Sequence, residues 1–119
     1  MDIEGGEWSA LRSIPLTYLD YIDQIVVEMH LFETFAYFEG NIKTLAGLAE
    51  HFYPVNLHMN NFNCWRKFKG LLSSSVFELT LVNKNLLTLF SQSRSYSPTA
   101  LNTPNSLRFK DCQIDESVV

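Results

Sequence analysis

Two short stretches hold the residues best suited to chemistry. Asp2-Ile3-Glu4-Gly5-Gly6-Glu7 sets three carboxylates around a glycine pair, and Val27-Glu28-Met29-His30 closes an apolar run with an acid and an imidazole. Such groups take or give a proton near neutral pH, grip hydroxyls and hold divalent cations. Glu28 and His30 are two residues apart, so on a strand they point to the same side. A third stretch, His58-Met59-Asn60-Asn61, adds an imidazole and two amides. The candidates for acid–base work are therefore Asp2 and Glu4, then Glu28 and His30, with His58, Asn60 and Asn61 as substrate-binding candidates. Each has an ordinary role in competition with the chemical one. Glu4 and Glu7 can cap a helix, Asp2 can bind turn amides, and the two asparagines can bond their own turn. His51 suits a helix C-terminus, and Cys64, with no His or Asn positioned beside it, reads as packing. Acids at adjacent strand ends together with His30 also permit a divalent metal, but spacing alone does not support one, so no metal ligand is assigned.

The elements that must position these residues follow from pattern. Gln24-Ile25-Val26-Val27-Glu28-Met29-His30 reads as a strand buried on both faces, as in α/β proteins, with Glu28 and His30 at the C-terminal end where open α/β sheets bind ligands. Asp2 to Glu7 reads as the end of a neighbouring strand and its turn. Glu7 opens a short helix with Trp8 and Leu11 on one side, and Pro15 breaks it. Phe35, Phe38, Ile42, Leu45, Leu48 and Phe52 form a stripe that predicts a helix from near Glu33-Thr34 to near His51. Val55 to Met59 alternates as a strand, and Val76 to Val82 reads as another. Cys64 to Ser75 fits either a helical turn around Trp65, Phe68 and Leu72 or an irregular loop. Helices between the early strands predict parallel pairing by right-handed crossovers. The last two strands, joined without a clear helix, are expected to be antiparallel. The fold class expected is α/β, with a mostly parallel sheet and an antiparallel last strand. Residues 1–90 form the folded part, and Ser91–Val119, rich in Ser, Thr, Asn and Pro without periodicity, is expected to be a disordered tail.

Composition narrows the classes. With a net charge of −4 over 119 residues there is no basic stripe to meet phosphates, so nucleic acid is not an expected partner. No apolar run approaches the roughly 18 residues of a membrane span, and no signal-peptide pattern opens the chain. The two cysteines, Cys64 and Cys112, are far apart and suggest neither a disulfide framework nor a metal pair. In the tail, Ser97-Pro98 and Thr103-Pro104 have the form of proline-directed phosphorylation sites. Glu116-Ser117-Val118-Val119 has the form of a PDZ-domain ligand, which would add as a strand to that domain's edge.

Taken in order, Asp2-Ile3-Glu4-Gly5-Gly6-Glu7, Val27-Glu28-Met29-His30, His58-Met59-Asn60-Asn61 and Phe77-Glu78-Leu79-Thr80 resemble the C-terminal half of FkbM-type S-adenosylmethionine-dependent methyltransferases. The similarity covers about Met1 to Leu87. The resemblance implies a partial class I, Rossmann-like methyltransferase sheet whose N-terminal cofactor-binding half is missing. It implies S-adenosylmethionine as cofactor and a small-molecule or glycan-type methyl acceptor. The family's Gly-rich turn after its first strand has no counterpart here, because Gly5-Gly6 follows a later strand. The chain is thus expected to be a methyltransferase fragment, inactive alone, with Met1 an internal methionine. The alternative is a non-catalytic remnant acting through an exposed apolar face and its tail.

Overall fold

The computed structural model describes residues 1–30, 38–63, 66–68, 71–86, 102–110 and 112. Helix α1 (Glu7–Ser13) buries Trp8 and Leu11, three residues apart on one face. It stops where Ile14 turns extended before Pro15, a residue with no N–H that disfavours helix in its predecessor. A single turn, α2 (Leu16–Leu19), follows and buries Leu19. Strand β1 spans Gln24–His30, helix α3 spans Phe38–His51, and strand β2 spans Phe52–Met59. Two short strands, β3 (Arg66–Phe68) and β4 (Leu71–Ser73), pair with each other antiparallel. Strand β5 (Val76–Asn83) closes the sheet.

The sheet order is β1-β5-β2, and β5 pairs antiparallel with both neighbours. Val27 faces Leu79, which faces Leu57; one residue along, Glu28 faces Glu78, which faces His58. These two rows lie on opposite faces of the sheet. The first face packs against α1 and α3, and Trp8, Leu11, Leu48, Ile25, Val27, Met29, Leu79 and Leu81 make the core with Phe52. Burying a side chain such as Val27 or Met29 contributes about 1.5–3 kcal/mol. The second face carries Asn56, Thr80, Glu28, Glu78, His58 and His30, with Val26, Val76 and Val82 between them.

The mostly parallel, Rossmann-like sheet expected from the sequence is not what forms. The three strands make an all-antiparallel sheet with few helices. The connection through α3 does leave β1 and β2 running the same way, since both oppose β5. A crossover fixes strand direction but not adjacency, and β5 inserts between the two. Nor is β1 buried on both faces. Ile25, Val27 and Met29 are buried while Val26 is 55% exposed, the alternation of a sheet packed on one side. One parallel step exists beside β1. Met1 donates its amino group to the Val26 carbonyl at 2.6 Å and accepts the Glu28 N–H at 2.9 Å.

Other elements shift in instructive ways. The α3 stripe buries Leu48 and packs Leu45 on the core, but leaves Phe38 and Ile42 about half exposed and turns Asn41 inward. Phe35 and the expected start at Glu33-Thr34 lie outside the described residues. Strand β2 begins at Phe52, earlier than the pattern gave, and carries Pro54 within it. Pro54 is tolerated because β2 is an edge strand and its ladder shifts register between Pro54 and Asn56. Around Cys64 to Ser75, the described backbone is the β3–β4 ribbon rather than a helical turn or irregular loop.

Within the stretch expected to be a disordered tail, residues 102–110 lie against the polar face. Asn102 and Asn56 exchange amide hydrogen bonds of 3.2 and 2.9 Å, and Asn105 Nδ2 donates to Glu78 Oε1 at 2.8 Å. Phe109 meets Phe62 edge to face, with ring centroids 5.6 Å apart. Cys112 is disulfide-bonded, against the reading of two unrelated cysteines, and its Sγ lies 3.5 Å from the Asn60 carbonyl oxygen. Cys64, the chain's other cysteine, lies outside the described residues, as do Ser97-Pro98 and Ser117-Val118-Val119. Among the described residues no helix is long and apolar enough to cross a membrane.

Candidate functional site

The site begins with a tight turn. Gly6 N–H donates to the Ile3 carbonyl at 3.2 Å, and the two central residues both have positive φ, 52° at Glu4 and 104° at Gly5. That is the geometry of a type I′ turn, which glycine adopts freely and glutamate does not. Holding Glu4 there costs about 1–2 kcal/mol. The turn aims the N–H groups of Ile3 and Gly5 at one point, and Glu7 Oε1 accepts both, at 3.0 and 3.1 Å.

Glu7 also accepts a hydrogen bond from His30 Nδ1 at 3.1 Å. Its side chain is fully buried, and Oε2 has no hydrogen-bond partner. Burial by itself would raise the Glu7 carboxyl. The backbone N–H groups of Glu7, Gly5 and Ile3, with the attraction of His30, outweigh it and hold the carboxyl below its usual range. An ionised carboxylate accepts only, so Nδ1 of His30 is the donor in this bond and Nε2 is the ring nitrogen turned toward the rest of the site. That nitrogen lies 3.6 Å from Glu4 Oε2. Trp8 Nε1 donates to the His30 carbonyl at 2.7 Å and pins the end of β1 to the start of α1.

Around this imidazole the separated candidates converge. Ligand atoms of Asp2, Glu28 and His30 all lie within 4.8 Å of one another. Asn60 Nδ2 donates to Glu28 Oε1 at 3.0 Å, while its Oδ1 accepts the Phe62 N–H at 3.0 Å. Asn60 therefore does both things open to it, bonding its own turn and reaching the site.

His58 and Asn61 go elsewhere. His58 is buried on the polar face and bonds Glu78 Oε2 through Nδ1 at 3.3 Å. Asn61 is buried and serves the chain itself: Nδ2 donates to the carbonyls of Ser106 and Phe109 at 2.8 and 3.0 Å, and Oδ1 accepts the Ser106 N–H at 2.9 Å. His51 bonds Asp20 Oδ1 through Nδ1 at 3.1 Å, a side-chain partner beyond the helix end. Sequence reasoning missed Glu7 and Glu78 as members of the two clusters. The signal for Glu78 was an acid amid apolar strand residues, on the same face as the strand's polar Thr80.

The chain's residues do not fit a nucleotide cofactor at this turn. The amides of Ile3 and Gly5 are taken by Glu7 and that of Gly6 by Ile3, so none of these three is left to cradle S-adenosylmethionine. Comparison with family models, curated proteins and solved structures finds no match to this chain.

Proposed function

We propose that this chain carries the acceptor-side residues of an S-adenosylmethionine-dependent methyltransferase of the FkbM-like kind, acting on a hydroxyl of a small-molecule or glycan-type acceptor, and that it is inactive alone. One observation carries the reading. Residues from three of the stretches that suggested the family, 24 to 58 positions apart in the sequence, meet around the His30 ring: Asp2 and Glu4, then Glu28, then Asn60. The parallel step at Met1 supports it too, because it sets Asp2 beside the end of β1.

In this reading His30 is the base. Glu7 fixes its tautomer and orientation through Nδ1, as the buried acid does in a nucleophile–histidine–acid arrangement, and Nε2 receives the acceptor's hydroxyl proton. Glu28 and Asn60 hold neighbouring hydroxyls. The methyl donor is bound by residues other than those described here. The test is nuclear magnetic resonance of the folded chain with its histidine rings labelled. A panel of monosaccharides and their methyl glycosides should shift the His30 ring and leave His51 unmoved. S-adenosylmethionine titrated calorimetrically should give no binding heat. A panel that leaves His30 unshifted removes the acceptor reading and favours a non-catalytic interaction protein. Micromolar binding of S-adenosylmethionine removes the claim that the chain is inactive alone.

A further inference from the structure

We infer that Asp2, Glu28 and His30 form a binding site for a divalent transition-metal ion, with Glu7 as the residue that orients the histidine. The inference does not rest on the methyl-transfer reading and competes with one part of it, because an ion on His30 Nε2 occupies the lone pair that would otherwise take the acceptor's proton.

Three features point to an ion rather than to a solvated acidic edge. The donors are mixed, one imidazole nitrogen and two carboxylates, a set that suits zinc or manganese. Ligand atoms around a tetrahedral zinc stand about 3.4 Å apart, given bonds of about 2.1 Å. These three already lie within 4.8 Å, and Asp2 is exposed and Glu28 partly so, which leaves their side chains free to close the remaining distance. Second, the histidine is prepared. Metal-bound histidines usually donate their other ring nitrogen to a carboxylate or carbonyl, which fixes the tautomer and sharpens the basicity of the ligand nitrogen. Here the acceptor is Glu7 at 3.1 Å, and Nε2 is the nitrogen left for the ion.

Third, the charge is unbalanced. Asp2, Glu4, Glu7 and Glu28 surround one imidazole, and among the described residues no lysine or arginine pairs with any of them. Asp2 has no hydrogen-bond or ion-pair partner among the described residues. Glu7 is fully buried beside His30, and its Oε2 has no partner at all. A carboxylate oxygen left unpaired out of water is costly, and a cation one residue away lowers that cost. Glu4 Oε2, 3.6 Å from Nε2, is placed to become a further ligand.

The experiment titrates ZnCl2 and MnCl2 calorimetrically into chelator-stripped, untagged chain, with no acceptor or methyl donor present. It therefore succeeds or fails independently of the methyl-transfer reading. Cobalt(II) substitution adds an absorption spectrum that reports ligand geometry. The expected result is one ion per chain with micromolar affinity. D2N and E28Q change solvent-accessible ligands without touching the core, and each should weaken binding at least tenfold and alter the cobalt spectrum. E7Q should weaken binding about 10- to 100-fold at unchanged stoichiometry. H58Q and H51Q remove a histidine elsewhere and should leave binding unaltered. Weak, non-saturating uptake of several ions, or affinity indifferent to D2N and E28Q in variants with wild-type circular dichroism, overturns the inference.

Discussion

Glu7 keeps its charge in a place where burial opposes it, and the backbone amides of its own turn are what allow this. A carboxyl lower in the folded than in the unfolded chain stabilises the fold above its unfolded value, about 4.3, and that contribution disappears as pH falls through the folded value. Urea unfolding with chelator present should therefore show wild-type stability declining below about pH 5, with a shallower decline in E7Q. At neutral pH E7Q should be less stable by about 1–3 kcal/mol, since a charged acceptor of three hydrogen bonds becomes neutral. Glu4 makes the opposite case. Its φ of 52° suits glycine, so E4G should raise the melting temperature, the relief amounting to about 1 kcal/mol. A lower melting temperature would mean that the Glu4 carboxylate contributes more than its backbone costs. The clustering at this scale was half legible. Residue type marked Asp2, Glu4, Glu28 and His30, and their strand-end positions brought them together. Glu7 read only as the start of a helix, because which amides a carboxylate reaches depends on the dihedral angles of Glu4 and Gly5, and no pattern of residue types records those.

Among the elements, the segment 102–110 is held by asparagines rather than by apolar contacts alone. Asn61 makes three hydrogen bonds to its backbone from a buried position. N61A should leave the sheet intact and release that segment, and hydrogen exchange at residues 106–109 should report a local loss of about 1–3 kcal/mol. Reduction of the Cys112 disulfide should push exchange there in the same direction and disturb Asn60, whose carbonyl the sulfur touches. Exchange unaffected by both changes would show that the segment is anchored by other contacts. A polar, aperiodic stretch reads as disorder because its partners are single amides, and single amides leave no period in a sequence. Strands fared better. β1 and β5 announced themselves through β-branched runs, while β2 extended back across Pro54 because an edge strand can spare the missing N–H. The α3 stripe gave the helix but not its orientation. Spacing says which residues share a face, and it does not say that Asn41 would turn inward while Phe38 stayed half exposed.

At the scale of the molecule, among the described residues three strands and two main helices make one small core, so its margins are narrow. M29A removes a fully buried side chain near the end of β1 and should cost about 2–5 kcal/mol, a large part of the 5–15 kcal/mol typical of a domain. The urea midpoint measures it, and a change below 1 kcal/mol would show that the core relaxes around the gap. The overall arrangement was the least legible level. A helical crossover correctly sets β1 and β2 in one direction, yet nothing local says that a later strand will come between them. That order has a consequence in time. β5 is the middle of the sheet and the last of its strands to be synthesised, with Gln24 waiting for Val82 and His30 for Val76. Until Val76–Asn83 leaves the ribosome, β1 and β2 exist as two loose ribbons with bare edges, and Ile25, Val27 and Met29 have no strand to pair with. The sheet then closes on both sides at once. A nascent chain that stalls before Asn83 exposes unpaired strand edges and apolar side chains, so its survival depends on chaperones until β5 emerges.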